Sequence, residues 1–112
     1  MFKIADKYLK DFKLRGKRIQ AIEARKAVMK GRPCLCKFYL DKKQWHNFFE
    51  FFTQNKTGIL TKQIINKKCI TTNIDEPGGH AVVLIEIEEK CLKFLNSWGK
   101  DWGDKGYFRI EN

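Results

Sequence analysis

The spacing of hydrophobic residues switches from helical to strand period along this chain, and the switch orders its elements. In "IQAIEARKAVMK", residues 19–30, helix-favouring residues predominate, and Ile19, Ile22, Met29 and the alanines supply an apolar stripe. Gly31 stops that helix and Pro33 follows at the usual distance. "CLCKFYL", 34–40, is a short aromatic-rich run that predicts a buried strand. Asp41 opens a second helix, because Asp41 and Gln44 have capping-box spacing. Trp45, Phe48, Phe49 and Phe52 then fall at i, i+3, i+4 and i+7, a stripe expected to serve core packing. The chain turns at Asn55 to Gly58, "ILTKQII" is a strand or an extended loop, and 66–79 is irregular. From residue 80 the pattern is β: "HAVVLIEI" and "CLKFLN", separated by "EEK", form a hairpin. "SWGKDWGDKG" is a shaped loop and "YFRI" a last strand. In residues 1–18, Phe2, Ile4, Tyr8, Leu9, Phe12 and Leu14 fit either a short helix or a strand edge. The order of elements predicts an α+β unit built on an antiparallel sheet.

The hairpin sets the relation between His80 and Asn96. With Glu88-Glu89-Lys90 as its loop, Ile87 faces Cys91 and Asn96 lies opposite Val82, one pair inward of His80. His80 and Asn96 then share a face at the open end of the hairpin, a diagonal step within side-chain reach. A slip of one residue would put them on opposite faces. An asparagine oxygen beside an imidazole accepts one ring N–H, fixes the tautomer and aims the other nitrogen. That arrangement serves a thiol nucleophile, which needs an oriented imidazole more than a buried carboxylate.

Composition narrows the partners. Hydrophobic residues make up 43% of the chain and aromatic ones 13%, enough for one small packed domain. The net charge is +10, of which residues 1–30 carry ten Lys/Arg against three acids. A solvated basic face accounts for this, and no nucleic-acid motif accompanies it, so nucleic acid is not an expected partner. No apolar run is long enough to span a membrane, and no signal peptide is recognisable in these residues. Cys34, Cys36, Cys69 and Cys91 are expected to be reduced thiols. Cys34 and Cys36 with His46 make only a faint zinc pattern, so neither a metal nor an organic cofactor is expected.

"GGHAV", then "NSWGKDWGDKGYFRI", resembles the C-terminal half of papain-like cysteine peptidases. "RKAVMKGRPCLCKFYL" is similar to the helix and "GPV" strand that open that family's second domain, and "WHNFFEFFTQNKTGILT" to the segment leading to its "SGIY"-type strand. The resemblance implies an antiparallel half-barrel with two or so helices over residues 19–112, after a basic segment 1–18. It also implies that His80 is the catalytic histidine and Asn96 the residue that orients it. Trp98 would shield their hydrogen bond, Gly79 would flank the histidine, and Trp102 and Gly103 would shape the loop beneath.

In that family the nucleophile sits in a Cys-Gly-Ser-Cys-Trp type segment about 130–150 residues before the His and Asn. Here 79 residues precede His80, and "CLC", "KCI" and "KCL" do not match that segment. The oxyanion-hole glutamine has no counterpart either. Cys36 and Cys69 are the local thiols to weigh as substitutes; Cys91 falls on the far face of the hairpin. The expectation is the C-terminal part of a cysteine peptidase, inactive without a thiol-bearing half that would complete it toward peptide or protein substrates. Alternatives are a non-catalytic binding or regulatory relative and a basic interaction module. A homodimer through the uncovered cleft wall is expected. The compartment stays open; members of the resembled family are often lysosomal or secreted.

Overall fold

The computed structural model describes residues 20–70 and 76–112. The basic segment 1–18, with its choice between helix and strand edge, and Ile19 lie outside the described residues. Helix α1 spans Ala21–Met29. Its end is a Schellman motif: Gly31, at φ +83°, donates to Val28 O at 2.9 Å, and Arg32 N donates to Ala27 O at 2.9 Å. The buried side of α1 matches the expected stripe at Ala24 but not at Ile22 and Met29. Ala24 and Val28 face inward, while Ile22 and Met29 are 64% and 76% exposed. Ala24 is fully buried where α1 meets β1, and its carbonyl accepts from the Cys34 thiol at 3.7 Å.

Strand β1, Cys34–Leu40, leads through Asp41 into helix α2, Lys42–Gln54. The capping box forms as the spacing predicts. Asp41 Oδ1 accepts from Gln44 N at 2.7 Å, and Gln44 Oε1 accepts from Asp41 N at 3.0 Å. "ILTKQII" is not one strand. Ile59–Leu60 form β2, and Lys62–Ile65 form a helical turn, α3, in which Thr61 Oγ1 caps the Ile64 N–H at 3.2 Å. The buried Asn47 of α2 ties this turn down by donating to Ile65 O and Lys67 O at 3.0 and 2.8 Å.

The remaining strands are β3 (Gly78–Ile87), β4 (Cys91–Leu95) and β5 (Tyr107–Glu111). They complete an open five-stranded sheet in the order β1-β3-β4-β5-β2. The antiparallel expectation holds for four strands; short β2 runs parallel to β5, pairing Ile59 with Arg109. Helix α2 packs across one face of the sheet. Phe48, Phe52, Leu84 and Phe108 are at most 1% exposed, and Val82, Leu92, Phe94 and Cys36 fill in around them.

The β3–β4 hairpin reaches the expected register by an unexpected route. Its connection is two residues rather than three: Glu88 N donates to Cys91 O at 2.8 Å, and Ile87 faces Leu92, not Cys91. A bulge at Ile85 then inserts one extra residue between the Leu84–Phe94 and Glu86–Lys93 pairs. Beyond it Val83 faces Leu95, which brings Val82 level with Asn96.

Phe48 touches the rings of Phe38, Phe52, Trp102 and Phe108 at once. Phe48→Ala should cost about 3–5 kcal/mol, read as a lowered denaturation midpoint. A loss below about 1 kcal/mol would show that this packing does not hold the sheet and helix together.

Candidate active site

His80 lies on β3 opposite Phe38 of β1, and Asn96 sits just past the end of β4. The structure brings them together: His80 Nε2 is 2.6 Å from Asn96 Oδ1. The same oxygen accepts from Ser97 N at 2.8 Å. A backbone N–H can only donate, so the atom facing it is the amide oxygen. His80 Nε2 must therefore carry the proton of this bond. In the neutral ring that leaves Nδ1 as the bare acceptor.

Asn96 is 6% exposed, and its Nδ2 is buried with no hydrogen-bond partner among the described residues. Leaving a buried donor unpaired costs about 1–3 kcal/mol. The side chain is thus held in place through its oxygen, at some expense to the fold.

Aromatic rings enclose the imidazole. Trp98 stacks on its face, centroids 4.8 Å apart and planes at 30°. Phe38 and Trp45 meet it edge-on at 5.7 and 5.8 Å. Trp45 also donates its indole N–H to Gly78 O at 3.0 Å, two residues before His80. Trp98 is backed by Phe49, stacked at 5.2 Å, and by Trp102, edge-on at 4.9 Å. Phe49, expected in the core, is 41% exposed and extends the Trp98 surface outward. Phe38, Trp45 and Phe49 are contributors that the sequence reading assigned to packing alone. A helical stripe longer than the core needs was the available signal.

The loop between β4 and β5 places Asn96 and Trp98. Asn96 N donates to Gly106 O at 2.9 Å, closing the loop at its neck. Trp102 lies parallel to Phe48 at 6.0 Å, anchoring the loop to α2. Gly103 has φ +60°, and a Cβ there would lie 2.8 Å from Tyr107 O, so a side chain is excluded. Gly79 is exposed and pairs with Tyr39; the nearest atom to an added Cβ is the flexible end of Lys37, so no comparable demand acts there.

None of the four thiols is hydrogen-bonded to His80 or Asn96. Cys36 is buried in the core beside Val82, and burial pushes its thiol up to about 12. Burial also raises Cys34. Cys91 is raised by burial and by the Glu88 carboxylate, to which it donates at 3.2 Å. Cys69 approaches Lys43 O at 3.8 Å, and Lys43 and Trp45 lie about 200° apart around α2. His46 pairs with Glu50 at 2.9 Å, and among the described residues no three metal-ligating side chains gather.

These positions predict thiol reactivity. The raised Cys36 supports folding fully below about pH 9, the ordinary thiol value, and that support fades as pH climbs toward about 12. At pH 7, iodoacetamide should leave Cys36 and Cys91 unmodified until the chain is denatured, as read by peptide mass mapping. Labelling of Cys36 in the native protein would contradict its burial.

The family model of papain family cysteine proteases matches residues 6–112. Cathepsin B-like cysteine proteinase 2 of Haemonchus contortus is 30% identical over 98% of this chain, which covers 28% of that protein. Thiol protease aleurain of Arabidopsis thaliana is 39% identical over 54% of this chain and 16% of its own length. Cathepsin C of Schistosoma mansoni is 35% identical over 55% of this chain and 15% of its own length. The chain thus spans well under a third of each of these relatives.

Proposed function

The chain belongs to the papain family of cysteine proteases, and from that premise we propose that its residues form the histidine–asparagine wall of a peptidase active site. The observation that carries this is the 2.6 Å contact between His80 Nε2 and Asn96 Oδ1, with Ser97 fixing which amide atom accepts. It leaves Nδ1 as the nitrogen available for proton exchange. In this proposal the thiol comes from outside these 112 residues. None of the four cysteines stands against the histidine, and the two most buried, Cys36 and Cys91, are held protonated at neutral pH.

The chemistry is acyl transfer. The incoming thiol gives its proton to His80 Nδ1, and the thiolate attacks the peptide carbonyl carbon. As the C–N bond breaks, the imidazolium returns that proton to the leaving amine. Water then enters, Nδ1 takes one of its protons, and the new hydroxyl attacks the thioester. The C–S bond breaks, and the sulfur leaves as thiolate beside the imidazolium. Asn96 holds the ring through both steps, and Trp98 keeps water from the Nε2–Oδ1 bond. Trp98 and Phe49 present the apolar surface on which a thiol-bearing half, or in its absence a second copy, would pack.

A non-catalytic relative that keeps the fold is the competing reading. The lack of a thiol partner for His80 within this chain favours it. Complementation separates the two. The chain alone should not cleave a fluorogenic peptide; co-refolded with the thiol-bearing half of a papain-family enzyme, it should co-sediment with that half and cleave. His80→Ala should then lower the rate about 10²–10⁴-fold. Co-sedimentation without cleavage would favour the non-catalytic reading. Cleavage by the chain alone would overturn the external thiol.

A further inference from the structure

We propose that Trp45 is a positioning residue for His80, acting from the first turns of α2 on both the imidazole and the strand that carries it. Trp45 is 6% exposed and makes two separate contacts with the histidine's surroundings. Its ring meets the imidazole edge-on at 5.8 Å and 74°. Its Nε1–H donates to Gly78 O at 3.0 Å, in the strand that delivers His80 two residues later. Gly78 begins β3, so this hydrogen bond fixes the strand where its pairing with Leu40 starts.

Three other contacts hold the ring. Asn96 holds Nε2, Trp98 covers a face, and Phe38 stands at a second edge. Trp45 closes the side next to α2 and is the member of this enclosure that also bonds to the backbone of β3. Its own place follows from where α2 starts: Trp45 N donates to the backbone carbonyl of the N-cap Asp41 at 2.9 Å, the first backbone bond of the helix. The start of α2 at the end of β1 thereby sets where Trp45 meets His80 of β3. The other buried stripe members, Phe48 and Phe52, contact rings of the core and not His80. Core packing alone does not call for an indole at position 45, since Phe would fill the same layer without the N–H.

The importance of this for catalysis rests on the peptidase proposal; the effect on the ring does not, and is measured without activity. The readout is solvent exchange of the His80 Nε2–H by ¹H–¹⁵N NMR on the 112-residue chain. Trp45→Phe keeps an aromatic ring and removes the bond to Gly78. It should speed exchange roughly fivefold to tenfold, as expected for one lost neutral hydrogen bond. Trp45→Leu removes both contacts and should speed it further. Leu60→Ala is the control: it disturbs the core at β2, the sheet edge away from β3, and should lower the denaturation midpoint while leaving Nε2–H exchange at the wild-type rate. Wild-type exchange in folded Trp45→Phe would overturn the proposal, whatever happens to stability. So would equal acceleration in Leu60→Ala, which would reduce the effect of Trp45 to general destabilisation. A complementation failure alongside the expected exchange pattern would count against the peptidase proposal alone.

Discussion

The site depends on one packing arrangement: the aromatic stripe of α2 lying across one face of the sheet. Phe48 is its centre, in contact with rings from β1, β5, α2 itself and the loop between β4 and β5. The loop tryptophans have no strand of their own to hold them. Trp102 is placed by lying against Phe48, and Trp98 by stacking on Phe49 and meeting Trp102. Trp98 in turn stacks on the His80 imidazole. Such a contact is worth about 0.5–1.5 kcal/mol beyond its buried area, and the network adds to the loop's backbone bonds in ordering the eleven residues between β4 and β5.

The second constraint is register. A two-residue connection at Glu89-Lys90, continued without interruption, would pair Asn96 with Val83 and set His80 and Asn96 on opposite faces. The bulge at Ile85 shifts every later pair by one and restores a shared face. Bulges are often found beside functional sites because they re-aim side chains. Here it aims both residues with one inserted position, and the orphaned Asn96 Nδ2 is a sign of how tightly that aim constrains the amide.

Much of this was legible from residues alone. The capping box at Asp41 and Gln44 predicted the start of α2, and the apolar runs predicted β1, β3, β4 and β5. Periodicity could not show the bulge, because Ile85 continues an apolar run with no glycine to mark it. The shared face was reached from a loop one residue too long and no bulge, two errors that compensate. For α1, hydrophobicity favoured Ile22 and Met29, but the distance to β1 favoured Ala24 and Val28. The brevity of β2 and the turn after it were hidden because Ile59 to Ile65 reads apolar in either conformation. The second role of Trp45 was invisible for a simpler reason: a core residue and a residue that braces a histidine have the same spacing on a helix.

The fold alone, with no thiol against the ring, sets the histidine with its proton on Nε2 and its other nitrogen bare. The most direct test is the ¹⁵N spectrum of the His80 imidazole in the isolated chain, recorded with the ring neutral. A single tautomer is expected, with the proton on Nε2 and a scalar coupling through the hydrogen bond to Asn96. A ring that exchanges between tautomers, or carries its proton on Nδ1, would contradict it and leave the pair as a packing contact.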